Sequence, residues 1–122
     1  MTALGTHLHR PISADELVRW PVNAMIHTIQ FDSAELSAVC PVTGQPDSYH
    51  IAITFTPQGW TIESKSLKFY LWHYRDEPVS AEDLAVRIAD ELAVRLETTV
   101  TVELDQAVRG GIAVHVQAVG ST

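Results

Sequence analysis

Four stretches of the chain alternate apolar and polar residues, and two others repeat apolar residues at helical spacing. From Ala24 to Phe31, one face carries Met25, His27, Ile29 and Phe31, which predicts a strand. Tyr49 to Thr56 alternates more cleanly, with Tyr49, Ile51, Ile53 and Phe55 together and Pro57-Gln58-Gly59 as a terminating turn. Ser64 to Arg75 reads as a helix because Leu67, Tyr70, Leu71 and Tyr74 recur at i, i+3, i+4 and i+7. Pro78 blocks its continuation. Ser80 then caps a second helix, whose stripe is Leu84, Ile88, Leu92 and Leu96. Acid-first pairs Asp83–Arg87 and Glu91–Arg95 support it by about 0.2–0.5 kcal/mol each on an exposed face. Thr99 to Leu104 and Ile112 to Ala118 read as a hairpin turning at Gly110-Gly111.

The predicted order is strand, strand, helix, helix, strand, strand. Helices grouped between antiparallel strands point to an α+β fold, with both helices on one face of the sheet. Residues 1–22 lack clear periodicity and read as an N-terminal arm, with Ser13 and Glu16 capping a short helix at Ala14–Arg19. Residues 23–122 read as a single domain, with no interior linker and no internal repeat.

Composition narrows the function. The chain has 122 residues, enough for one modest core, and 46% hydrophobic residues mark it as globular. A formal net charge of -7 disfavours direct binding to tRNA or DNA, while leaving room for a local basic patch on a cofactor phosphate. One cysteine excludes an internal disulfide framework. The N-terminus has no apolar signal region, and no apolar run reaches the length of a membrane span, so a cytoplasmic protein is expected. His7 and His9 are a weak candidate metal pair, better read as solvated, and scattered histidines offer no zinc ligand set. No metal is expected.

The candidate chemistry centres on Cys40-Pro41-Val42-Thr43-Gly44-Gln45-Pro46-Asp47. Pro41 and Pro46 fix φ and Gly44 permits a positive φ, so the loop can hold one shape between two strands. A lone cysteine is a nucleophile if something ionises it and something else handles protons; otherwise it is a packed residue followed by an ordinary turn. Asp47 is the nearest downstream carboxyl, and as an acid at neutral pH it would need burial. A second block is Glu63-Ser64-Lys65-Ser66-Leu67-Lys68-Phe69-Tyr70, a helix start with two lysines that suits an anion, or a solvated first turn.

Both blocks resemble the NADPH-dependent nitrile reductases that convert 7-cyano-7-deazaguanine to 7-aminomethyl-7-deazaguanine in queuosine biosynthesis, a tRNA modification (the QueF family, unimodular type). The resemblance runs over about residues 23–119. It implies the tunnelling fold (T-fold), in which subunits assemble into rings with sites at their interfaces. It implies Cys40 as the nucleophile that forms a covalent thioimide, and Asp47 as the proton carrier. It implies substrate contacts from Glu63, Ser64 and Glu82, and NADPH contacts from Lys65, Ser66 and Lys68, with Phe69 a mild departure from the usual residue. Read without it, Glu82 is a first-turn acid favourable to the helix dipole.

One departure stands out. The family carries His immediately before the substrate-binding Glu, and here that position is Ala81. His73 and His50 are possible substitutes, or merely packing and surface residues. Two other readings remain: an amidine-forming relative using ammonia, and a purine- or pterin-binding module without turnover. The lysine-bearing helix and the net charge favour reduction, with a small deazapurine as the partner and no nucleic acid.

Overall fold

A computed structural model describes residues 9–122. It contains β1 (Arg19–Pro21), β2 (Ile29–Val39), β3 (Pro46–Phe55), β4 (Trp60–Ile62), α1 (Ser64–Trp72), α2 (Ala81–Leu96), β5 (Val100–Arg109) and β6 (Ile112–Gly120). The expected ββααββ order is therefore present as β2, β3, α1, α2, β5 and β6. These four strands form one antiparallel sheet in the order β2-β3-β5-β6. Odd-numbered β3 residues Tyr49, Ile51, Ile53 and Phe55 are buried, as are Val100, Val102 and Leu104 of β5. Both helices cover that face.

α2 follows its sequence pattern. The Ser80 hydroxyl accepts from the Asp83 amide at 3.2 Å, a cap worth about 1 kcal/mol. Leu84, Ile88, Leu92 and Leu96 are fully buried, each stabilising the fold by roughly 1.5–3 kcal/mol. α2 approaches β6 so closely that a Cβ at Gly120 would lie 2.2 Å from the Ala89 carbonyl oxygen. The α1 helix ends at Trp72, and the chain to Arg75 continues as tighter turns with Tyr74 donating to Leu71 and Arg75 to Trp72.

The first strand differs from the prediction. It begins at Ile29, not Ala24, and runs to Val39, ending against Cys40. The cause is a bulge. Ser33 pairs with Ile51 and Leu36 with Tyr49, so β2 holds one more residue than its partner between those points. The side facing the core is odd before the bulge (Ile29, Phe31) and even after it (Leu36, Ala38). The alternation breaks at Asp32-Ser33-Ala34-Glu35, which hid the second half of the strand.

The expected helix at Ala14–Arg19 is only a 3-10 turn at Ala14–Glu16, with its Ser13/Glu16 capping box. Tertiary hydrogen bonds claim the residues that follow. The Leu17 carbonyl accepts from Arg95 Nε and Nη2 at 3.1 and 2.6 Å, and β1 pairs with β4. Ile12 and Leu17 enter the same core as the sheet, so this part of the N-terminal segment packs as part of the folded unit. His9 sits edge-on to Phe69, and His7 lies outside the described residues. No helix among the described residues is long and apolar enough to cross a membrane.

Candidate active site

The loop between β2 and β3 is short and closed at its base. The Cys40 amide donates to the Gln45 carbonyl at 2.8 Å, and the Cys40 carbonyl accepts from the Gly44 amide at 2.9 Å. Gly44 takes φ +74°, which its missing Cβ makes cheap. Pro41 starts the turn without an amide hydrogen to satisfy. Like the first turn of a helix, this winding aims amides back at the residue that precedes it. The Thr43 hydroxyl, the amides of Thr43 and Val42 and the Arg109 guanidinium all reach the sulfur, and they hold the half-buried Cys40 thiol down at about 6. This favours the thiolate at neutral pH.

Asp47 is the first core-facing residue of β3 and is 7% exposed. Its Oδ1 lies 2.8 Å from Arg109 Nη1. Arg109 also acts on Cys40, so one cation faces both the sulfur and the carboxylate. The sequence reading missed this residue. Along β5 the core-facing positions are even through Leu104, which would turn Arg109 outward. Gln106 pairs with Val114 and Arg109 with Ile112, so β5 gains one residue there and the parity changes. The only sequence signal is that Arg109 abuts the Gly110-Gly111 turn.

Tyr49, two residues beyond Asp47 on the same face, is 2% exposed. Its hydroxyl is buried and meets no hydrogen-bond partner among the described residues. Burial, followed by the charges of Asp47, Cys40 and Glu82, pushes it up to about 12, with Arg109 opposing. The sequence reading placed Tyr49 on the apolar face and saw nothing more in it.

The start of α2 is tied to the same end of the sheet. The Val39 amide donates to the Glu77 carbonyl at 2.9 Å, and the Val79 amide to the Val39 carbonyl at 3.1 Å. Glu82 follows one turn later, exposed, its charge felt at Tyr49. Ala81 is 4% exposed and belongs to the core, so an imidazole there would have to displace packed side chains. The His73 ring packs on Tyr74 at 4.1 Å and its Nδ1 lies 2.6 Å from the Tyr70 carbonyl oxygen. His50 is exposed on the opposite face of β3 from Tyr49.

The second block forms a separate group at the start of α1. Ser64, Lys65 and Lys68 are exposed. Ser64 and Lys68 face Ser33 and Glu35 of the β2 bulge across a cavity of about 190 Å³. Glu63 is 8% exposed, and its amide donates to the Val18 carbonyl at 2.9 Å. Ser66 departs from its expected role. It is fully buried, its Oγ accepting from the Val18 amide at 3.1 Å and donating to the Glu63 carbonyl at 2.9 Å. It ties the N-terminal segment to α1 and presents no surface to a cofactor. Among the described residues no group of three or more His, Cys, Asp or Glu could hold a metal ion.

Comparison with known proteins gives one consistent result. A family profile described as QueF-like protein matches residues 46–121. A Sinorhizobium fredii protein named NADPH-dependent 7-cyano-7-deazaguanine reductase is 39% identical over 93 residues, covering 73% of this chain and 60% of its own. Proteins of the same name from Caulobacter vibrioides and Brucella abortus are 39% and 37% identical, covering 73% and 70% of this chain and 62% and 57% of theirs. The chain thus spans about three fifths of the length of these curated relatives. The crystal structure of an archaeosine synthase QueF-Like in the apo form superposes with a TM-score of 0.71 at 21% identity, over 78% of this chain and 94% of that one. This likeness establishes the shared fold.

Proposed function

The chain belongs to the QueF-like protein family, and from that premise we propose that it reduces the nitrile of 7-cyano-7-deazaguanine to the aminomethyl group, in the queuosine pathway, with NADPH as reductant. The observation that carries this reading is the Asp47–Arg109 pair at 2.8 Å, set beside the Cys40 sulfur at the end of the loop.

A nitrile carbon is weakly electrophilic, and a thiolate in place is the group that raises its reactivity. The Cys40 sulfur bonds to that carbon, one π bond of C≡N breaks, and the nitrogen takes a proton to give a thioimide. That proton comes from solvent through Asp47, whose carboxylate takes it up and passes it to the nitrogen as negative charge develops there, while Arg109 faces both the sulfur and the carboxylate. When bound, NADPH would supply hydride to the thioimide carbon; the C–S bond then breaks, returning the Cys40 thiolate and leaving an imine, whose carbon takes a second hydride and whose nitrogen takes a further proton to give the amine. Lys65 and Lys68 suit its phosphates, since both ammonium groups are exposed at a helix start whose first amides lack intrahelical partners. Glu82, with Glu63 and Ser64, would hold the deazapurine; a carboxylate matches its paired N–H donors.

The protein acts in the cytoplasm on a small molecule and not on nucleic acid directly. β2 and β6 are open edges of the sheet, which supports assembly of several copies with sites between them. Residues 23–122 carry every group named in this reaction, with the packed part of the N-terminal arm completing the core beneath them.

The test is an NADPH-consumption assay with the nitrile substrate. Consumption, with the aminomethyl product found by mass spectrometry, is expected. An amidine formed from ammonia without NADPH use would make the chain an amidine-forming enzyme. A stable adduct on Cys40 with no product would make it a binding module.

A further inference from the structure

A buried hydroxyl without a partner is disfavoured, because it has left water without replacing the hydrogen bonds it made there. Tyr49 holds such a hydroxyl at 2% exposure. It stands in the reactive group. Asp47 precedes it by two residues on the same face of β3, and the charges of Asp47, Cys40, Glu82 and Arg109 all act on it. A phenylalanine would fill the same volume in this core without the penalty. The orphan donor therefore calls for a partner that arrives later.

We infer that Tyr49 is a substrate-contacting residue of this site, its hydroxyl donating a hydrogen bond to the nitrogen of the nitrile and of the Cys40 adduct formed from it. The inference rests on the nitrile-binding reading above. Its logic is the geometry of capture: the sulfur bonds to the carbon, so the nitrogen beyond it must be met by a donor. Asp47 lies two residues before Tyr49 on the same buried face of β3, whereas Glu82 is exposed at the start of α2, which puts the hydroxyl at the reacting end of the ligand and not at the purine end. The hydroxyl stays protonated at neutral pH and so serves as a donor throughout. It holds the nitrogen in place and transfers no proton itself.

The experiment compares Cys40→Ala with Cys40→Ala/Tyr49→Phe, so that binding is read without covalent capture. Calorimetric titration is run with 7-cyano-7-deazaguanine and with 7-deazaguanine, which lacks the nitrile. Tyr49→Phe alone is followed by thermal denaturation and size-exclusion chromatography. Expected are a loss of about tenfold in affinity for the nitrile ligand, no change for 7-deazaguanine, an unchanged oligomer, and a melting temperature equal to or above that of the unaltered protein. Equal affinities for the nitrile ligand in the two variants overturn the inference. So does an equal loss for both ligands, which would put the hydroxyl on the ring, or a changed oligomer with unchanged affinity. Binding of neither ligand by Cys40→Ala overturns both this inference and the proposed substrate. If the nitrile loss appears while the unaltered protein consumes no NADPH, reduction fails as a reading and the Tyr49 contact stands.

Discussion

Arg109 Nη1 lies 2.8 Å from Oδ1 of Asp47, and the same guanidinium helps hold the Cys40 thiol down. One cation at a hairpin tip thus holds two anions at the end of a neighbouring hairpin. The bulge in β5 makes the contact, since without the extra residue the side chain would leave the opposite face of the sheet.

Arg109→Met should therefore reduce turnover by about tenfold or more, the scale of losing one preorganised electrostatic partner. It should also raise the pH at which Cys40 becomes reactive. Arg109→Lys should keep part of both effects, because an ammonium supplies the charge without the two-pronged geometry. Steady-state kinetics and alkylation rates of the three proteins check this.

The thiol itself gives a pH prediction. Alkylation of Cys40 by iodoacetamide should be half-maximal near pH 6, since the thiol is held at about 6. Thr43→Val removes the first of its hydrogen-bond donors and should move that midpoint up. The linkage sign follows. The folded value is below the unfolded one, so this group's stabilising contribution is present above the unfolded thiol pKa of about 8.5. It is lost as pH falls through about 6. Cys40→Ser should flatten that part of the stability profile measured by denaturant titration.

Gly120→Ala should destabilise the fold. The added Cβ would lie 2.2 Å from the Ala89 carbonyl oxygen and 2.7 Å from the Asp90 amide nitrogen, backbone atoms of α2 that have no rotamer to escape into. Forcing α2 off the sheet should cost about 1–3 kcal/mol, seen as a lower urea midpoint with an unchanged slope.

Lys65→Ala and Lys68→Ala should raise the KM for NADPH by about tenfold in combination, a charge-assisted contact being worth roughly 1.5–3 kcal/mol. The Cys40 adduct should form as before, because neither lysine takes part in capture. An unchanged KM would remove α1 from the cofactor site.

Ser66→Ala separates packing from binding in the same helix. Its hydroxyl links the Val18 amide to the Glu63 carbonyl, and its loss leaves a donor unpaired at about 1–3 kcal/mol. The melting temperature should fall while the KM for NADPH holds.

The sequence by itself determined the order of the main elements, the capped α2 helix and the loop that carries Cys40 and Asp47. These are local properties: a helical stripe behind a serine cap, or two prolines and a glycine around a thiol, are set by residues near one another in the chain. Tertiary structure alone decided three things. It joined Arg109 to Cys40 and Asp47 across 62 positions of chain to the nearer of the two. It turned Ser66 inward to the Val18 amide. It also left the Tyr49 hydroxyl buried among charges and unpaired. The physical reason is parity. A strand's alternation fixes which residues share a face, but a single bulged residue exchanges the faces beyond it, and where β2 and β5 bulge is settled by pairing with β3 and β6.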